Sequence, residues 1–295
     1  MSLIDTDIQA AAPADLPMPA FRLLKPQGEH KSVIFASPHS GAFYPDSLMG
    51  NLRVPLIDLR RTEDAYIDRL FENAPLFGAS LLAANYARSY VDLNRDAREI
   101  DPDMFEHEAP GPVGAISPRV QAGLGCFPRI GARGEPIYAK KLSFADGHHR
   151  LTYVHTPYHE ALSNEIAALH QDFGSVILID CHSMPSSQPG RSTMPDFVLG
   201  DRFGSSCTGQ LTNLVERQLR SLGCTVARNA PYAGGYTTRR YGRPKRHVHT
   251  LQIEINRKLY MDETTVEPDE GLHELRTVLD QLMEQICAFG VRLRP

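Results

Sequence analysis

Short and almost continuously apolar runs recur along the chain, and they predict β-strands that are buried on both faces. These runs lie at residues 32–36, 79–84, 175–180, 196–199 and 250–255. Between them, apolar residues with helical spacing predict helices over residues 64–73, 158–173, 205–221 and 270 to about 289. Because strands and helices alternate, we expect a three-layer α/β/α fold with a mixed, mainly parallel sheet.

The same pattern predicts the domain organisation. Residues 1–20 are rich in Ala and Pro and predict a flexible N-terminal arm, whereas residues 21–295 predict a single domain. Within that domain, residues 101–147 are rich in Pro and Gly and have little periodicity. An irregular segment of this length is uncommon, so we expect it either to cover a site or to contain a short hairpin.

Composition narrows the class of protein. A chain of 295 residues with 42% hydrophobic and 22% charged residues is typical of a globular protein, and its net charge of −4 does not favour nucleic-acid binding. Five cysteines without a CxxC pair argue against a disulfide framework. The N-terminus lacks the features of a signal peptide, and no apolar run reaches the roughly 18–20 residues of a membrane helix. We therefore expect a cytoplasmic protein with no membrane partner; the oligomeric state stays unknown.

Two histidines come directly after buried apolar runs. His39 lies in the turn SPHSG after the first run, and His182 lies in DCHSMP after the third. The carboxyl ends of strands in open α/β sheets bind ligands, and neutral imidazole is a preferred zinc ligand. Either histidine alone would be interpreted as a hydrogen-bonded turn residue, but the repetition favours a metal site. Asp180 would then be a carboxylate that contacts a metal-ligating histidine and fixes its tautomer, or it simply ends the strand.

A third ligand can be sought among carboxylates and other histidines. Glu63 and Asp64 precede a helix with one apolar face. An acidic residue at the start of a helix stabilises the helix dipole, which explains one of the two but not which one. Helical phase does not distinguish the two. His155 and His159 have the i,i+4 spacing of a metal site, but Pro157 lies between them and is expected to delay the start of the helix.

Three further groups can carry chemistry. Arginine at Arg88 and Arg95 suits the recognition of carboxylates, although a solvated loop with salt bridges also explains it. Glu254 interrupts an aliphatic strand and either faces water or serves as a general base in a buried site. The basic cluster 239–246 favours an anionic small molecule over nucleic acid, or is an exposed loop.

Taken together and in order, the motifs resemble the N-formylglutamate amidohydrolase family. The resemblance covers most of the chain, and it is the ordered set rather than any single motif that is specific. The matching segments are SPHSG from Ser37, TEDAYIDRL from Thr62, RSYVDLNR from Arg88, TPYHEAL from Thr156, DCHSMP from Asp180, PYAGGYTTRRYG from Pro231 and LQIEINRKLYMDE from Leu251.

The resemblance implies a phosphorylase/hydrolase-like fold related to zinc carboxypeptidases and aspartoacylase, with one Zn²⁺ per chain. It implies hydrolysis of N-formyl-L-glutamate to formate and L-glutamate, and a place in histidine degradation. The expected partner is a small acidic N-acyl amino acid. Alternatives are a deacylase of another N-acyl amino acid or small peptide, and a non-catalytic binder of an acidic small molecule.

The resemblance also implies roles for individual residues. The metal ligands would be His39, His182 and a carboxylate. That carboxylate cannot occupy the HxxE position of carboxypeptidases, which is Ala42 here, and the family's Thr-Asp pattern favours Asp64 over Glu63. Glu254 would be the general base and Arg88 the oxyanion-stabilising group. Substrate binding is expected from Asn94, Arg95, Gly235, Tyr236, Arg239 and His159.

Overall fold

The structure is a computed structural model that describes residues 13–14, 16–26, 28–191 and 193–293. Most of the predicted N-terminal arm therefore lies outside the described residues. The strands are β1 (Phe21–Leu24), β2 (Val33–Ser37), β3 (Ser80–Ala84), β4 (Val176–Met184), β5 (Phe197–Gly200), β6 (Val226–Arg228), β7 (Val248–Asn256), β8 (Met261–Asp262) and β9 (Glu267–Pro268).

Helices connect most of these strands. They are α1 (Asp46–Met49), α2 (Leu56–Arg60), α3 (Ile67–Leu70), α4 (Pro118–Gln121), α5 (Phe144–Arg150), α6 (Thr156–Phe173), α7 (Gly209–Ser221), α8 (Tyr236–Tyr241) and α9 (Gly271–Arg292). Within the described part of the chain, none of them is long and apolar enough to cross a membrane. All five cysteines are free thiols, as their number and spacing predict.

Seven strands form one sheet in the order β1-β3-β2-β4-β7-β5-β6, and β8 pairs only with β9 among the described elements. The central neighbours β3, β2, β4 and β7 run parallel, whereas β1 is antiparallel to β3 and β5 is antiparallel to β7. The predicted mixed, mainly parallel α/β sheet is confirmed.

Alternate residues of the central strands enter different hydrophobic clusters. Phe35 and Ile179 pack in a cluster with α7 and α9, whereas Ile34 and Leu178 pack in a cluster with α6. Because successive side chains of a strand point to opposite faces, the two clusters lie on opposite faces of the sheet. Helices therefore cover both faces, which explains why the strand sequences are almost continuously apolar.

The predicted strands are confirmed with small shifts in their ends, but β4 is longer than expected. It continues to Met184 because its parallel pairing with β7 extends to Met184 and Asn256. His182 therefore lies within the strand rather than after it. The short strands β1 and β6 were not predicted, since their sequences FRLL and VAR are not continuously apolar.

The helix predicted over residues 64–73 is mostly wrong. Only Ile67–Leu70 is α-helical, and a 3₁₀ turn follows at Ala74–Phe77. The Asp64 N–H donates to the His39 carbonyl at 3.0 Å, and Tyr66 adopts a positive φ of 65°. The helix cannot begin earlier because the backbone before it is held against the His39 turn.

Residues 101–147 contain short elements rather than none. A 3₁₀ turn lies at Pro102–Met104, α4 and the start of α5 follow, and Ile130 and Pro136 form an antiparallel bridge. The helix predicted from residue 158 begins earlier, since α5 continues through a π turn at Leu151–His155 into α6. Pro157 lies just after that turn and cannot donate a backbone hydrogen bond, which accounts for the change in helical pitch there.

Candidate active site

The carboxyl ends of three neighbouring parallel strands bring the candidate residues together. His39 comes two residues after β2, His182 lies near the end of β4, and Glu254 lies near the end of β7. In the β4–β7 ladder, His182 is the direct partner of Glu254. The sheet register therefore places the candidate base beside a candidate ligand, as expected for the ligand-binding edge of an α/β sheet.

His39, Asp64 and His182 form a buried group that can hold a metal ion. Their ligand atoms lie within 4.8 Å of one another. Asp64 Oδ2 is 3.3 Å from His39 Nδ1 and 2.9 Å from His182 Nδ1. Two imidazole nitrogens and one carboxylate oxygen that converge on one point are a donor set suited to zinc.

Glu63 is buried but faces away from this group. Its carboxylate accepts a hydrogen bond from the Tyr44 hydroxyl, and Arg60 Nε lies 3.8 Å from it. Of the two acidic residues that the sequence left open, Asp64 is thus the one that meets both histidines.

Carboxylates lie at the opposite nitrogen of each imidazole. His39 Nε2 is 2.7 Å from Asp92 Oδ1, and His182 Nε2 is 3.1 Å from Asp180 Oδ1 and 3.0 Å from Asn94 Nδ2. Asp180 is fully buried, and neither of its carboxylate oxygens has a hydrogen-bond partner among the described residues. A proton on His39 Nε2 is donated to Asp92 and leaves His39 Nδ1 free to ligate a metal, which is the arrangement of metal-ligating histidines. The Asn94 amide nitrogen can only donate to His182 Nε2, so the ring proton of His182 lies on Nδ1 and faces Asp64 Oδ2. A bound metal would take the place of that proton.

The other oxygen of Asp64 is anchored by the protein. Asp64 Oδ1 accepts hydrogen bonds from Ser183 Oγ at 3.1 Å and from the Arg257 guanidinium at 3.3 Å. Arg257 also donates to the carbonyls of Arg61 and Glu63 at 2.8 and 2.6 Å. These contacts orient the carboxylate so that Oδ2 alone faces the histidines.

The charges of the group support cation binding. Burial raises the pKa of Asp64, but hydrogen bonds with His182 and His39 outweigh burial and hold that pKa well below its usual range. Burial lowers the pKa of His182, and the Asp180 and Asp64 carboxylates outweigh it and raise that pKa well above its usual range. A metal ion therefore competes with a proton for this group.

Glu254 faces the site and not the solvent, which resolves the two orientations that its sequence pattern allowed. Gln252 Nε2 donates to Glu254 Oε1 at 2.8 Å. Burial raises the pKa of Glu254 to about 8, while His182 acts in the opposite direction. A buried carboxylate with a raised pKa is suited to accept and return a proton near neutral pH.

Arg88 supplies a positive charge next to the same group. Its guanidinium donates to Asp92 Oδ2 at 2.9 Å, and another of its nitrogens lies 3.8 Å from Asp64 Oδ1. Asp92 thus joins His39 to Arg88 through its two oxygens.

These residues line a cavity of about 650 Å³. Asn94, Arg95 and Gly235 also line it. Leu124 and Ile130 of the irregular segment form part of its wall, so that segment lies against the site. Asn94 is held in place, because its Oδ1 accepts from the Thr237 N–H at 2.8 Å and its Nδ2 lies near His182.

Glycine at position 235 has a steric reason. A Cβ there would lie 2.5 Å from the Asn94 amide. Gly41 is similarly required, because a Cβ would lie 2.3 Å from the Tyr86 carbonyl oxygen. The two glycines let the His39 turn and the Gly235 loop pack against the segment that ends in Asn94 and Arg95.

Three predicted substrate-binding residues, His159, Tyr236 and Arg239, do not line this cavity. His159 Nε2 donates to the Leu93 carbonyl at 2.9 Å, and its Nδ1 lies 2.8 Å from the Tyr241 hydroxyl. Tyr236 packs against the His159 ring, and Arg239 is exposed beside Glu99. Substrate contact by these three stays a prediction. The geometry gives His159 a supporting position behind Leu93, with Tyr236 packed against it.

Sequence reasoning assigned no role to several residues that complete the site. Asp92, Ser183, Gln252 and Arg257 contact the ligand group or Glu254. A signal was present for two of them. Asp92 lies within the DLNR motif, and Gln252 precedes Glu254 by two residues and so shares its face of the strand.

A family model described as N-formylglutamate amidohydrolase matches residues 31–261. The chain belongs to the N-formylglutamate amidohydrolase family. Curated N-formylglutamate deformylases of Pseudomonas aeruginosa and Pseudomonas putida are each 32% identical over 268 residues, covering 88% of this chain and 93% of the relative. The motif resemblance is confirmed, and with it the assignment to the amidohydrolases.

One solved structure agrees with the family assignment, and a second one shares the fold. The crystal structure of N-formylglutamate amidohydrolase from Ralstonia eutropha JMP134 has a TM-score of 0.86 and 38% identity, covering 92% of this chain and 98% of that chain. The gene product Atu2144 from Agrobacterium tumefaciens has a TM-score of 0.67 at 18% identity, covering 92% of this chain and 94% of that one, and shares the fold.

Proposed function

We propose that this family member is a zinc-dependent enzyme that hydrolyses N-formyl-L-glutamate to formate and L-glutamate. The observation that carries the proposal is the buried His39–Asp64–His182 group with Glu254 paired beside His182 in the sheet. The names of the Pseudomonas and Ralstonia relatives support the substrate.

The residues present fit a zinc ion. His39 Nδ1, Asp64 Oδ2 and His182 Nδ1 would hold it, and Asp92 would accept the proton of His39 Nε2. When bound, zinc supplies a Lewis acid that polarises a carbonyl and lowers the pKa of a water molecule. We also propose a relationship to zinc carboxypeptidases, a cytoplasmic location and a place in histidine degradation.

The chain's own groups would divide the remaining work. Glu254 would accept a proton from the attacking water and return it to the departing amine, because its raised pKa makes both transfers accessible near neutral pH. Arg88 would stabilise the negative charge that develops on the formyl oxygen; loss of one such donor typically costs about 10²–10³-fold in rate. Asn94 and Arg95 would bind a substrate carboxylate.

The direct test is formate release from N-formyl-L-glutamate by protein stripped of metal with a chelator and then titrated with zinc. We expect activity to return with about one equivalent of zinc per chain. Full activity without metal would contradict zinc dependence. Faster release of acetate from N-acetylglutamate than of formate from N-formylglutamate would favour a deacylase of another N-acyl amino acid.

A neighbouring pair of acidic residues offers a matched test of the ligand set. Asp64→Asn should abolish zinc binding, because its Oδ2 faces both imidazoles. Glu63→Gln should retain it, since Glu63 contacts Tyr44 and Arg60 instead. Retention of zinc by Asp64→Asn would overturn the ligand assignment.

A further inference from the structure

The arginines that line the site cavity differ in whether the protein neutralises them. Arg61 pairs with Asp58 at 2.7 Å, Arg88 with Asp92 at 2.9 Å, and Arg257 with Asp64 at 3.3 Å. Arg95 and Arg119 line the same cavity, and neither has a carboxylate within 4 Å in the part of the chain that the structure describes. Two cavity-lining arginines therefore have no ion-pair partner among the described residues.

Arg95 and Arg119 are joined through a single residue. Arg95 Nε donates to the Leu124 carbonyl at 3.0 Å, and the Leu124 N–H donates to the Arg119 carbonyl at 2.8 Å. The Arg95 guanidinium makes one other hydrogen bond, to the Asn94 carbonyl at 3.0 Å, whereas the Arg119 side chain makes no hydrogen bond with the described residues. Both guanidinium groups thus keep N–H donors for a ligand.

The position of Arg119 is set by its own segment. Ser117 caps α4, with its Oγ accepting from the Val120 N–H at 3.3 Å, and Val120 is buried. Arg119 itself is exposed, and it lines a neighbouring cavity as well. It therefore lies at the outer rim of the site, whereas the ligand group is buried.

The two charges act on each other. Partial burial at the rim and then the neighbouring Arg95 lower the pKa of Arg119, while Glu99 and Asp92 only partly offset this. An anion bound between the two guanidinium groups would relieve that repulsion and gain charge-assisted, bidentate hydrogen bonds.

We propose that Arg95 and Arg119 together bind the side-chain carboxylate of the substrate, and that Arg119 determines the preference for acidic over neutral N-formyl amino acids. This inference rests on the proposed deformylase function. It places the arginine that assists Arg95 in the irregular segment 101–147 and not in the basic cluster 239–246, where Arg239 lies outside the cavity wall.

The test compares N-formylglutamate with its neutral isostere N-formylglutamine in wild type and Arg119→Gln. We expect kcat/KM of the variant to fall by roughly 10- to 100-fold on N-formylglutamate, chiefly through KM, because a hydrogen bond to a charged group is lost. On N-formylglutamine it should change little. Arg98→Gln is the matched control, since Arg98 is exposed and lines only the neighbouring cavity; it should behave as wild type.

A binding measurement separates this inference from the deformylase function. Glutarate should inhibit the wild type more strongly than Arg119→Gln, whereas inhibition by butyrate should be the same for both proteins. Equal losses on both substrates, or the same loss in Arg98→Gln, would overturn the role of Arg119. If the wild type releases no formate from either substrate, the deformylase function fails, and calorimetric binding of glutarate to wild type and Arg119→Gln then decides whether the arginine pair binds dicarboxylates.

Discussion

Two pairs of buried histidines can be compared directly. The ring centroids of His39 and His182 are 4.8 Å apart, and those of His155 and His159 are 4.5 Å apart. In the first pair, both Nδ1 atoms face the Asp64 carboxylate. In the second pair, each Nε2 instead donates to a backbone carbonyl, that of Arg95 for His155 and that of Leu93 for His159.

The pKa of His182 is shifted in the opposite direction from the pKa values of His155 and His159. Burial lowers the pKa of His155 and of His159, and no hydrogen-bonded carboxylate in the described structure offsets it. For His182 the Asp180 and Asp64 carboxylates outweigh burial and raise the pKa. Proximity and burial of two imidazoles are thus common to both pairs, and the carboxylates on both sides of the ring distinguish the candidate metal site.

The His155–His159 pair nevertheless supports the pair at the ligand group. His155 and His159 hold the carbonyls of the segment 93–95, and this segment follows Asp92, which orients His39. Mutations in the two pairs should therefore differ in kind as well as in size.

The largest effect is expected from His182→Ala. Removal of a ligand leaves two donors, which do not hold a catalytic zinc, so turnover should fall by on the order of 10³-fold or more. Metal analysis after dialysis should find no stoichiometric zinc. His159→Leu prepared in parallel should keep about one zinc per chain, and loss of zinc from both variants would remove the distinction between the pairs.

Glu254→Gln should lower kcat by about 10²–10⁴-fold, because the group that transfers protons is lost. Zinc content and KM should stay close to those of the wild type, since Glu254 is not among the three ligand residues. Steady-state kinetics with metal analysis checks both. Near-normal kcat would exclude Glu254 as the general base.

The raised pKa of Glu254 also predicts a pH effect on the metal-free protein. Because the folded-state pKa of about 8 lies above the usual 4.5, the proton is held more tightly in the folded protein. The stabilisation this provides is complete below pH 4.5 and is lost as the pH rises through about 8. Metal-free Glu254→Gln should therefore melt above metal-free wild type at pH 9 and with it near pH 4.5; a constant difference would contradict the burial of an ionisable Glu254.

Asp92→Asn should have an intermediate effect. Asp92 orients His39 and pairs with Arg88, and loss of such an outer partner typically costs about 10- to 100-fold in metal affinity or activity. Competition with a fluorescent zinc chelator measures the affinity. Asp96→Asn is the control, because Asp96 pairs with exposed Arg98 away from the ligands; equal weakening in both variants would argue against a specific role for Asp92.

The smallest catalytic effect is expected from His159→Leu. The Leu93 carbonyl would lose its buried donor, which should cost about 1–3 kcal/mol of unfolding free energy. Urea denaturation measures this loss, and the assay should show a raised KM with zinc retained. A normal unfolding free energy with abolished turnover would instead place His159 in contact with substrate.

Much of the fold could be predicted from the local pattern of apolar residues. The parallel core strands are nearly continuous apolar runs because helices cover both faces of the sheet, and α6, α7 and α9 carry apolar positions at helical spacing. The region after Asp64 misled the pattern, since apolar residues with helical spacing there are divided between a four-residue helix, turns and a 3₁₀ helix. The spacing of apolar side chains does not show that the backbone at Asp64 is hydrogen-bonded to the His39 turn and so cannot be helical there.

The site was predictable to a similar degree. His39 and His182 could be recognised because each closely follows an apolar run, at the edge where parallel strands bind ligands. The orientation of Glu254 and the choice between Glu63 and Asp64 were not predictable, because adjacent or alternating carboxylates are equivalent until their neighbours are known. The sequence offered no reason to select Arg119. Its proposed role depends on which of the cavity arginines already form ion pairs, and only the structure shows this.

The sequence alone determined the family, the strand and helix types of the core and the identity of the ligand-capable residues, because these follow from local composition, spacing and ordered motifs. Tertiary structure decided which carboxylate meets the histidines, which face of β7 carries Glu254 into the cavity and which arginines stay uncompensated. The physical reason is that charge and coordination depend on distances of a few ångströms between residues far apart in the chain, and strand register and loop packing set those distances.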